Sequence, residues 1–156
     1  MKIKLIAVGR QMPAWISTGF TDYQRRMPNH LPLELIEIPL PKRQKLTNIE
    51  KLKAQEGAEI LKKISANEKV IALEVKGEAW STITLSEKMA TWLSQGQTIN
   101  LLVGGPDGLD LACLDRADRL WSLSPLTLPH PLVRVLIAEQ LYRAYTLLSN
   151  HPYHRE

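Results

Sequence analysis

The last seven residues of the chain, Asn150-His-Pro-Tyr-His-Arg-Glu156, bring together side chains that can carry out chemistry. The imidazoles of His151 and His154 can exchange a proton near neutral pH, while Tyr153 and Arg155 offer a stacking ring and a cation. Chain ends usually fray, so a polar and aromatic terminus needs a reason. A metal site is not favoured, because two histidines around a proline are too few ligands for a structural metal. We therefore predict that no metal is bound.

A second feature is the stretch Leu101-Leu-Val-Gly-Gly-Pro-Asp-Gly108, in which an apolar strand runs into a glycine turn. Paired glycines allow the backbone to approach another group closely, and Pro-Asp-Gly is typical of turns. The stretch matches neither the G-x-G-x-x-G fingerprint nor the P-loop, so it does not indicate a phosphate ligand. A tight strand-to-helix turn without any ligand explains it equally well.

The third feature is the segment Trp121-Ser-Leu-Ser-Pro-Leu-Thr-Leu-Pro-His-Pro131. Its three prolines exclude a helix and stiffen the backbone. The amides and carbonyls between these prolines must then bind water, side chains or a ligand. Pro131 suits the first position of a following helix, with His130 near the cap. For His130, stabilisation of the loop and contact with a substrate both remain open.

Short apolar runs alternate along the chain with segments of helical period, which predicts an α/β fold with a mostly parallel sheet flanked by helices. The predicted strands are Lys2–Val8, Leu33–Ile38, Lys69–Val75, Thr98–Val103 and Arg119–Leu123. The predicted helices are Ala14–Met27, Asn48–Ile64, Ser86–Gln95 and Leu132–Leu148. In such sheets ligands bind beyond the carboxyl ends of the strands, where the glycine turn and the proline-rich segment lie.

The helix Leu132–Leu148 is apolar on nearly all faces, and a small sheet can cover only one of them. A second subunit is the simplest cover, so we predict a homodimer in which a residue such as Ile137 lies at the interface or in the core of its own chain. The pair Glu139 and Arg143 has the i,i+4 spacing of a surface ion pair. A role in the site is an equal alternative for Arg143.

Composition bounds the remaining classes. The chain has 156 residues, 44% of them hydrophobic, which predicts a single domain spanning residues 1–156. Its net charge of +4 and pI near 9.3 favour acidic partners. The basic run Lys42-Arg-Gln-Lys45 is our candidate for contact with an RNA backbone, although it can equally be a solvated loop. No apolar stretch approaches a membrane span, and no signal peptide is evident, so we expect a cytoplasmic protein without membrane contact.

Two other residue types are predicted to be structural. Cys113 cannot form an internal disulfide as the lone cysteine and is expected to be a small core residue, not a nucleophile. The four tryptophans are expected to be packing anchors: Trp15, Trp80, Trp92 and Trp121.

The four stretches KIKLIAVG, LLVGGPDG, SLSPLTLPHPLVRVLIAEQLYRA and NHPYHRE together closely resemble the RlmH family of ribosomal large-subunit methyltransferases, which belongs to the SPOUT superfamily. The resemblance spans essentially the whole chain. It implies a single SPOUT domain with a C-terminal trefoil knot, a feature that no composition or periodicity argument would have proposed. It also implies a homodimer that methylates N3 of a pseudouridine in 23S rRNA on the assembled ribosome, with S-adenosylmethionine as donor.

The resemblance further implies a cofactor site at positions that agree with the features above. In this family the pocket corresponds to Leu73, to Gly104 in the glycine turn, and to the loop made by Leu123, Ser124, Pro125, Leu126, Thr127 and Leu128. The catalytic residues are then expected in the terminal tail, where His151, Tyr153, His154 and Arg155 would bring a base, a ring and a cation to the pocket of the same or the partner subunit. A binding module that holds the cofactor or RNA without turnover would use the same pocket and remains the alternative.

Overall fold

A computed structural model describes residues 1–42 and 48–155 of the chain. Five strands form one parallel sheet in the order β2-β1-β4-β3-β5. The strands are β1 (Ile3–Val8), β2 (Leu33–Ile38), β3 (Lys69–Ala79), β4 (Ile99–Val103) and β5 (Arg119–Ser122). The helices are α1 (Ala14–Arg26), α2 (Ile49–Leu61), α3 (Thr82–Gln95), α4 (Leu111–Arg116) and α5 (His130–Leu148). The prediction of a parallel α/β sheet is confirmed, while the trefoil knot stays a prediction.

The helices cover both faces of the sheet. Helices α1, α3 and α5 pack on one face around a large apolar cluster, in which Phe20, Met89 and Ile137 are buried. Helices α2 and α4 cover the other face around a smaller cluster that includes Ile60 and Cys113. All six residues of β1 are buried between the two helix layers, and five of them are apolar; the sixth, Lys4, donates a hydrogen bond from its ammonium to Glu68 over 2.8 Å.

Local capping sets the helix boundaries. The side chain of Ser81 accepts a hydrogen bond from the backbone N–H of Thr84 over 3.0 Å, so α3 begins at Thr82 and not at Ser86 as the sequence pattern predicted. The same helix ends at Gln95 and is capped by Gly96, whose φ of 64° lies in the left-handed region that glycine tolerates. Helix α4, six residues long, was not predicted, because fewer than two turns are too short to show a helical period.

Strand β3 runs beyond its predicted end at Val75 and pairs with β5 twice. After Leu73 pairs with Trp121 the register shifts, and Glu78 then pairs with that same tryptophan. A Cβ atom at Gly77 would lie 2.6 Å from the backbone of Leu120, so only glycine fits where the two strands come this close. This double pairing brings Trp80 onto Trp121 with ring centroids 4.9 Å apart and nearly parallel planes.

The tryptophans differ in their surroundings. Trp92 and Trp121 are buried in the core, as predicted, and Trp80 packs against it. The prediction for Trp15 is wrong, because 63% of its surface is exposed on the outer side of α1. Cys113 is fully buried, as expected of a core residue. In the part of the chain that the structure describes, no helix is long and apolar enough to cross a membrane.

Candidate active site

A cavity of about 410 Å³ lies at the carboxyl ends of β4 and β5 and beside the middle of β3, where its register shifts. Strand β3 contributes Leu73, strand β4 ends at Val103 and leads into the glycine turn, and the proline-rich loop follows β5. Small-molecule sites usually occupy roughly 300–1,000 Å³ at this end of a parallel sheet. The cavity is therefore placed and sized to bind a cofactor.

The cavity wall brings together seven of the eight residues predicted to bind a cofactor. These are Leu73, Gly104, Leu123, Ser124, Leu126, Thr127 and Leu128. The eighth, Pro125, lies in the same loop but does not line the cavity. The role of all eight in binding stays a prediction, although their convergence on one cavity agrees with it.

The glycine turn is compact because its first glycine leaves no room for a side chain. A Cβ atom at Gly104 would lie 2.6 Å from the carbonyl carbon of Gly108, closer than real Cβ atoms come to any neighbour. Gly108 itself has a φ of 83°, in the left-handed region. The N–H of Gly108 donates to the carbonyl of Gly105 over 3.0 Å and closes the turn. The sequence therefore fixes the shape of this wall of the cavity.

The proline-rich loop satisfies part of its backbone internally. The hydroxyl of Ser124 accepts a hydrogen bond from the N–H of Leu126 over 2.9 Å, and the hydroxyl of Ser122 donates to the carbonyl of Ser124. The N–H groups of Thr127 and Leu128 have no acceptor within residues 1–42 and 48–155. Donors left in this state at a cavity wall can serve a ligand.

Several cavity residues were not predicted as ligand contacts. The indole of Trp121 is 3% exposed, and its Nε1–H has no hydrogen-bond partner in the described chain, which makes it a further donor at the wall. Carboxylates of Glu74 and Asp107 also line the cavity and favour a cationic ligand. These residues adjoin predicted ones at strand ends, which is the only signal that the sequence offered for them.

The cavity therefore fits the chemistry of S-adenosylmethionine. Its apolar walls suit an adenine, its glycine turn and loop amides suit polar edges, and its acidic residues suit a sulfonium cation. His130, which the sequence left open, also lines the cavity. Pro129 caps α5 and no side-chain cap bond is made, so His130 does not act as a cap.

The terminal tail lies elsewhere in the same chain. It folds back on the C-terminal half of α5, and none of the residues that line the cavity belongs to it. His154 Nδ1 lies 3.2 Å from the hydroxyl of Thr146, and the N–H of His151 donates to the carbonyl of that residue. Since α5 rises 1.5 Å per residue, Thr146 lies about 24 Å along the helix from His130. One chain does not bring the tail to its own cavity.

The tail has a defined conformation. The rings of Tyr142 and Tyr153 lie 4.7 Å apart, and the guanidinium of Arg143 lies 5.0 Å from the ring centroid of Tyr153. Asn150 starts the turn with a φ of 55°, which asparagine tolerates better than most residues. Arg155 is exposed. The catalytic role of the tail stays a prediction.

The structure also bears on the predicted RNA contact, on the predicted position of Ile137 and on metal binding. Of the basic run 42–45, Lys42 is exposed, and residues 43–45 lie outside the described residues. Ile137 is fully buried against its own chain, so it belongs to the intrachain core. Within residues 1–42 and 48–155, no three His, Cys, Asp or Glu side chains come together as the ligands of a metal would.

The chain is similar over nearly its whole length to known methyltransferases. A family model described as "Predicted SPOUT methyltransferase" matches residues 1–154. The chain is 60% identical over 156 residues to ribosomal RNA large subunit methyltransferase H of Hahella chejuensis, covering all of both chains. It is 56% identical over 155 residues to the protein of the same name from Saccharophagus degradans, covering 99% of this chain and 100% of that one.

Solved structures share the fold at much lower identity. A methylase family protein from Neisseria gonorrhoeae superposes with a TM-score of 0.55 at 12% identity, over 97% of this chain and 95% of that chain. At this identity the likeness supports the fold alone.

Proposed function

Because the chain belongs to the SPOUT methyltransferases and, within them, to the family of ribosomal RNA large subunit methyltransferase H, we propose that it transfers a methyl group from S-adenosylmethionine to N3 of a pseudouridine in 23S rRNA. The observation that carries this proposal is the cavity of about 410 Å³, on which seven of the eight expected cofactor residues converge. Membership of the family indicates the class of reaction, and the cavity is the site at which this chain would bind the cofactor.

The residues of the cavity have separate tasks in this reaction. Leu73, Val103 and Trp121 would hold the adenine in an apolar slot, and the N–H groups of Thr127 and Leu128, which have no acceptor in the described chain, would bind its polar edge. The cofactor supplies an activated methyl group on a sulfonium, which is already a good leaving group. The protein therefore has to align donor and acceptor in line and to exclude other nucleophiles.

The acceptor nitrogen is an imide N–H, so one proton must leave as the new N–C bond forms and the S–C bond breaks. A cation near the base would stabilise the imide anion, and an uncharged imidazole or an ordered water would take the proton. We assign the cation to Arg155 and the stacking ring to Tyr153. The tail lies far from the cavity of its own chain, so these groups would act at the cavity of a partner subunit.

We infer that the protein acts as a homodimer, and two exposed apolar surfaces support this inference. Leu132, Val135 and Leu136 give α5 an apolar outer face that its own chain covers only in part. Trp15 adds an exposed ring on α1, the helix that packs beside α5. Joining two copies through these helices would bury both surfaces and bring each tail toward the other subunit's cavity.

The experiment that tests the proposal measures labelled methyl transfer from S-adenosylmethionine to ribosomes that lack the modification. Assembled ribosomes, free large subunits and naked rRNA are compared as substrates. We expect incorporation at a pseudouridine N3, confined to assembled ribosomes. No incorporation into any of them, with cofactor affinity intact by calorimetry, would instead support a binding module that holds the cofactor without turnover.

A further inference from the structure

His130 lies on the wall of the cofactor cavity, close to the buried guanidinium of Arg134. It lines the cofactor cavity from the first turn of α5. Arg134, four residues further along α5, lines a separate cavity of about 220 Å³ together with Glu37 and one face of α1. A Cβ atom at Gly9 would lie 3.7 Å from Arg134 Nη2 and 3.8 Å from His130 Nε2, so the imidazole and the guanidinium flank the same glycine. The histidine is thus held beside a fixed positive charge.

The imidazole has no evident structural task. It does not cap α5, and no hydrogen bond joins it to any group of the described chain. Half-buried polar side chains normally find partners within the protein or serve a ligand. An imidazole without a partner on the wall of a cofactor cavity is available to a substrate.

The surroundings keep this imidazole uncharged. Burial lowers the pKa of His130 below its ordinary value, and the positive charge of Arg134 lowers it further. Glu37 on β2 is bound to Arg134 over 2.7 Å and offsets part of that positive charge, so burial is the larger cause of the lowered pKa. The other charged groups on the cavity wall are Glu74 of β3 and Asp107 of the glycine turn. At neutral pH His130 is therefore ready to accept a proton.

The two histidines of the tail are engaged in other contacts. Nδ1 of His151 accepts a hydrogen bond from the N–H of Tyr153 over 3.1 Å, and Nδ1 of His154 lies 3.2 Å from the hydroxyl of Thr146. These contacts shape the tail itself. They leave His130 as the histidine that already faces the cofactor cavity within its own chain.

We propose that His130 is the general base that removes the N3 proton of the target base during methyl transfer, an assignment that rests on the proposed function. The proton passes from N3 to the imidazole, the nitrogen electron pair forms the bond to the methyl carbon, and the S–C electron pair returns to sulfur. The products are an N-methyl base, an uncharged thioether and an imidazolium. The imidazolium then releases its proton to solvent. In this scheme the partner's tail supplies the ring and the cation, and the cavity wall supplies the base.

The test compares His130→Asn and His130→Ala with His154→Asn and with a control, His30→Asn. His30 is exposed, packs edge-on against Tyr145 and does not line the cavity. Methyl transfer to ribosomes is measured at saturating cofactor between pH 5 and 9. Calorimetry with S-adenosylhomocysteine reports whether each variant is folded and binds.

We expect both His130 variants to lose about 10²–10⁴-fold in kcat while their affinity for S-adenosylhomocysteine changes less than about threefold. The wild-type rate should fall on the acid side as His130 is protonated, and this limb should disappear in His130→Asn. Added imidazole should restore part of the rate of His130→Ala, which a residue with only a packing role would not allow. The control should match the wild type.

Three results would overturn the assignment. His130→Asn could keep the wild-type rate and pH profile, or the acid limb could disappear in His154→Asn instead, which would place the base in the tail. Equal loss of rate and cofactor affinity without imidazole rescue would show that His130 builds the pocket. Absence of transfer by the wild-type protein would be a distinct result, because it removes the proposed function and this assignment with it.

Discussion

The hydroxyl of Tyr153 donates a hydrogen bond to Glu139 Oε1 over 3.0 Å, and Arg143 Nε donates to that same oxygen over 2.8 Å. Burial raises the pKa of Tyr153, and hydrogen bonds with Tyr23 and Glu139 raise it further, so the phenol stays protonated. The pair that the sequence presents as a surface ion pair therefore anchors the tail. Glu139 and Arg143 act here as positioning residues for the aromatic ring.

This anchoring leads to a prediction about the tail. Tyr153→Phe keeps the ring but removes its bond to Glu139, and Arg155→Ala removes the exposed cation. We expect each change to lower the rate of methyl transfer at least tenfold, and the double variant to lower it more. The affinity for the cofactor should stay nearly unchanged, because the ring of Tyr153 and the charge of Arg155 would act on the acceptor base and not on the cofactor. Initial rates with ribosomes and calorimetry with S-adenosylhomocysteine measure the two effects. Equal losses in both would mean that the tail builds the cofactor pocket.

A second prediction concerns the glycine turn. Gly104→Ala places a Cβ atom 2.6 Å from the backbone of Gly108, so the turn must shift and deform the cavity wall. Gly96→Ala is the matched control, since it meets nothing within 4 Å and costs only the left-handed conformation, about 1–2 kcal/mol. We expect Gly104→Ala to lose at least tenfold in cofactor affinity and Gly96→Ala to lose none. Thermal unfolding with and without S-adenosylhomocysteine separates stability from binding.

A third prediction concerns the dimer. Ile137 cannot test it, because Ile137→Glu would disrupt the core of the single chain. Leu136 lies on the half-buried outer face of α5, and we expect Leu136→Glu to yield folded monomers without methyl transfer. The control is Ile49→Glu, which changes an exposed residue of α2 on the opposite face of the sheet. Sedimentation velocity and circular dichroism provide the measurement, and an active Leu136→Glu dimer would contradict the proposed interface.

Strong local patterns predicted most of the fold. Short runs rich in leucine and isoleucine such as Leu33–Ile38 were placed without error, because aliphatic residues recur through the run although Glu34 and Glu37 interrupt it at the edge of the sheet. The start of α3 was misplaced because its first turn, which begins at Thr82, holds threonines and Ile83, which is 55% exposed, so no apolar stripe marks it. The extension of β3 was missed because its residues after Leu73 are mostly exposed.

The candidate site was predictable where its shape depends only on residues that are neighbours in the sequence. Gly104 and the prolines of the loop determine backbone geometry by themselves, so their position at the cavity could be expected. The position of the tail depends on contacts with Glu139, Arg143 and Thr146, which no local pattern encodes. The juxtaposition of His130 and Arg134 at Gly9 likewise depends on how α5 packs against the end of β1.

A fourth prediction concerns Cys113. Burial raises the pKa of its thiol to about 11, with a smaller contribution from Asp110, so almost none is ionised at neutral pH. We expect iodoacetamide to leave the native protein unmodified for hours at pH 8 and to alkylate it within minutes in denaturant. Mass spectrometry measures the extent of reaction. Rapid modification of the native protein would contradict the buried placement.

The last prediction concerns the buried network of Lys4, Glu68 and Asn100. Burial opposes ionisation of Glu68, but hydrogen bonds from Lys4, Asn100 and the N–H of Ser65 outweigh it, so its pKa lies below the ordinary 4.5. A depressed carboxyl pKa stabilises the fold above the unfolded value, and this stability is lost as the pH falls through the folded value. Glu68→Gln should therefore cost about 1–3 kcal/mol of unfolding free energy at pH 7.

That cost should shrink as the pH drops below 4.5, where protonation of Glu68 in the wild type makes the two proteins alike. Urea unfolding of both proteins at several pH values measures the difference. The control is Glu59→Gln, which removes a surface pair with Lys62 and should change stability little at any pH, because both partners are well exposed. A pH-independent cost for Glu68→Gln would mean that packing, and not the charge of the carboxylate, stabilises this corner of the sheet.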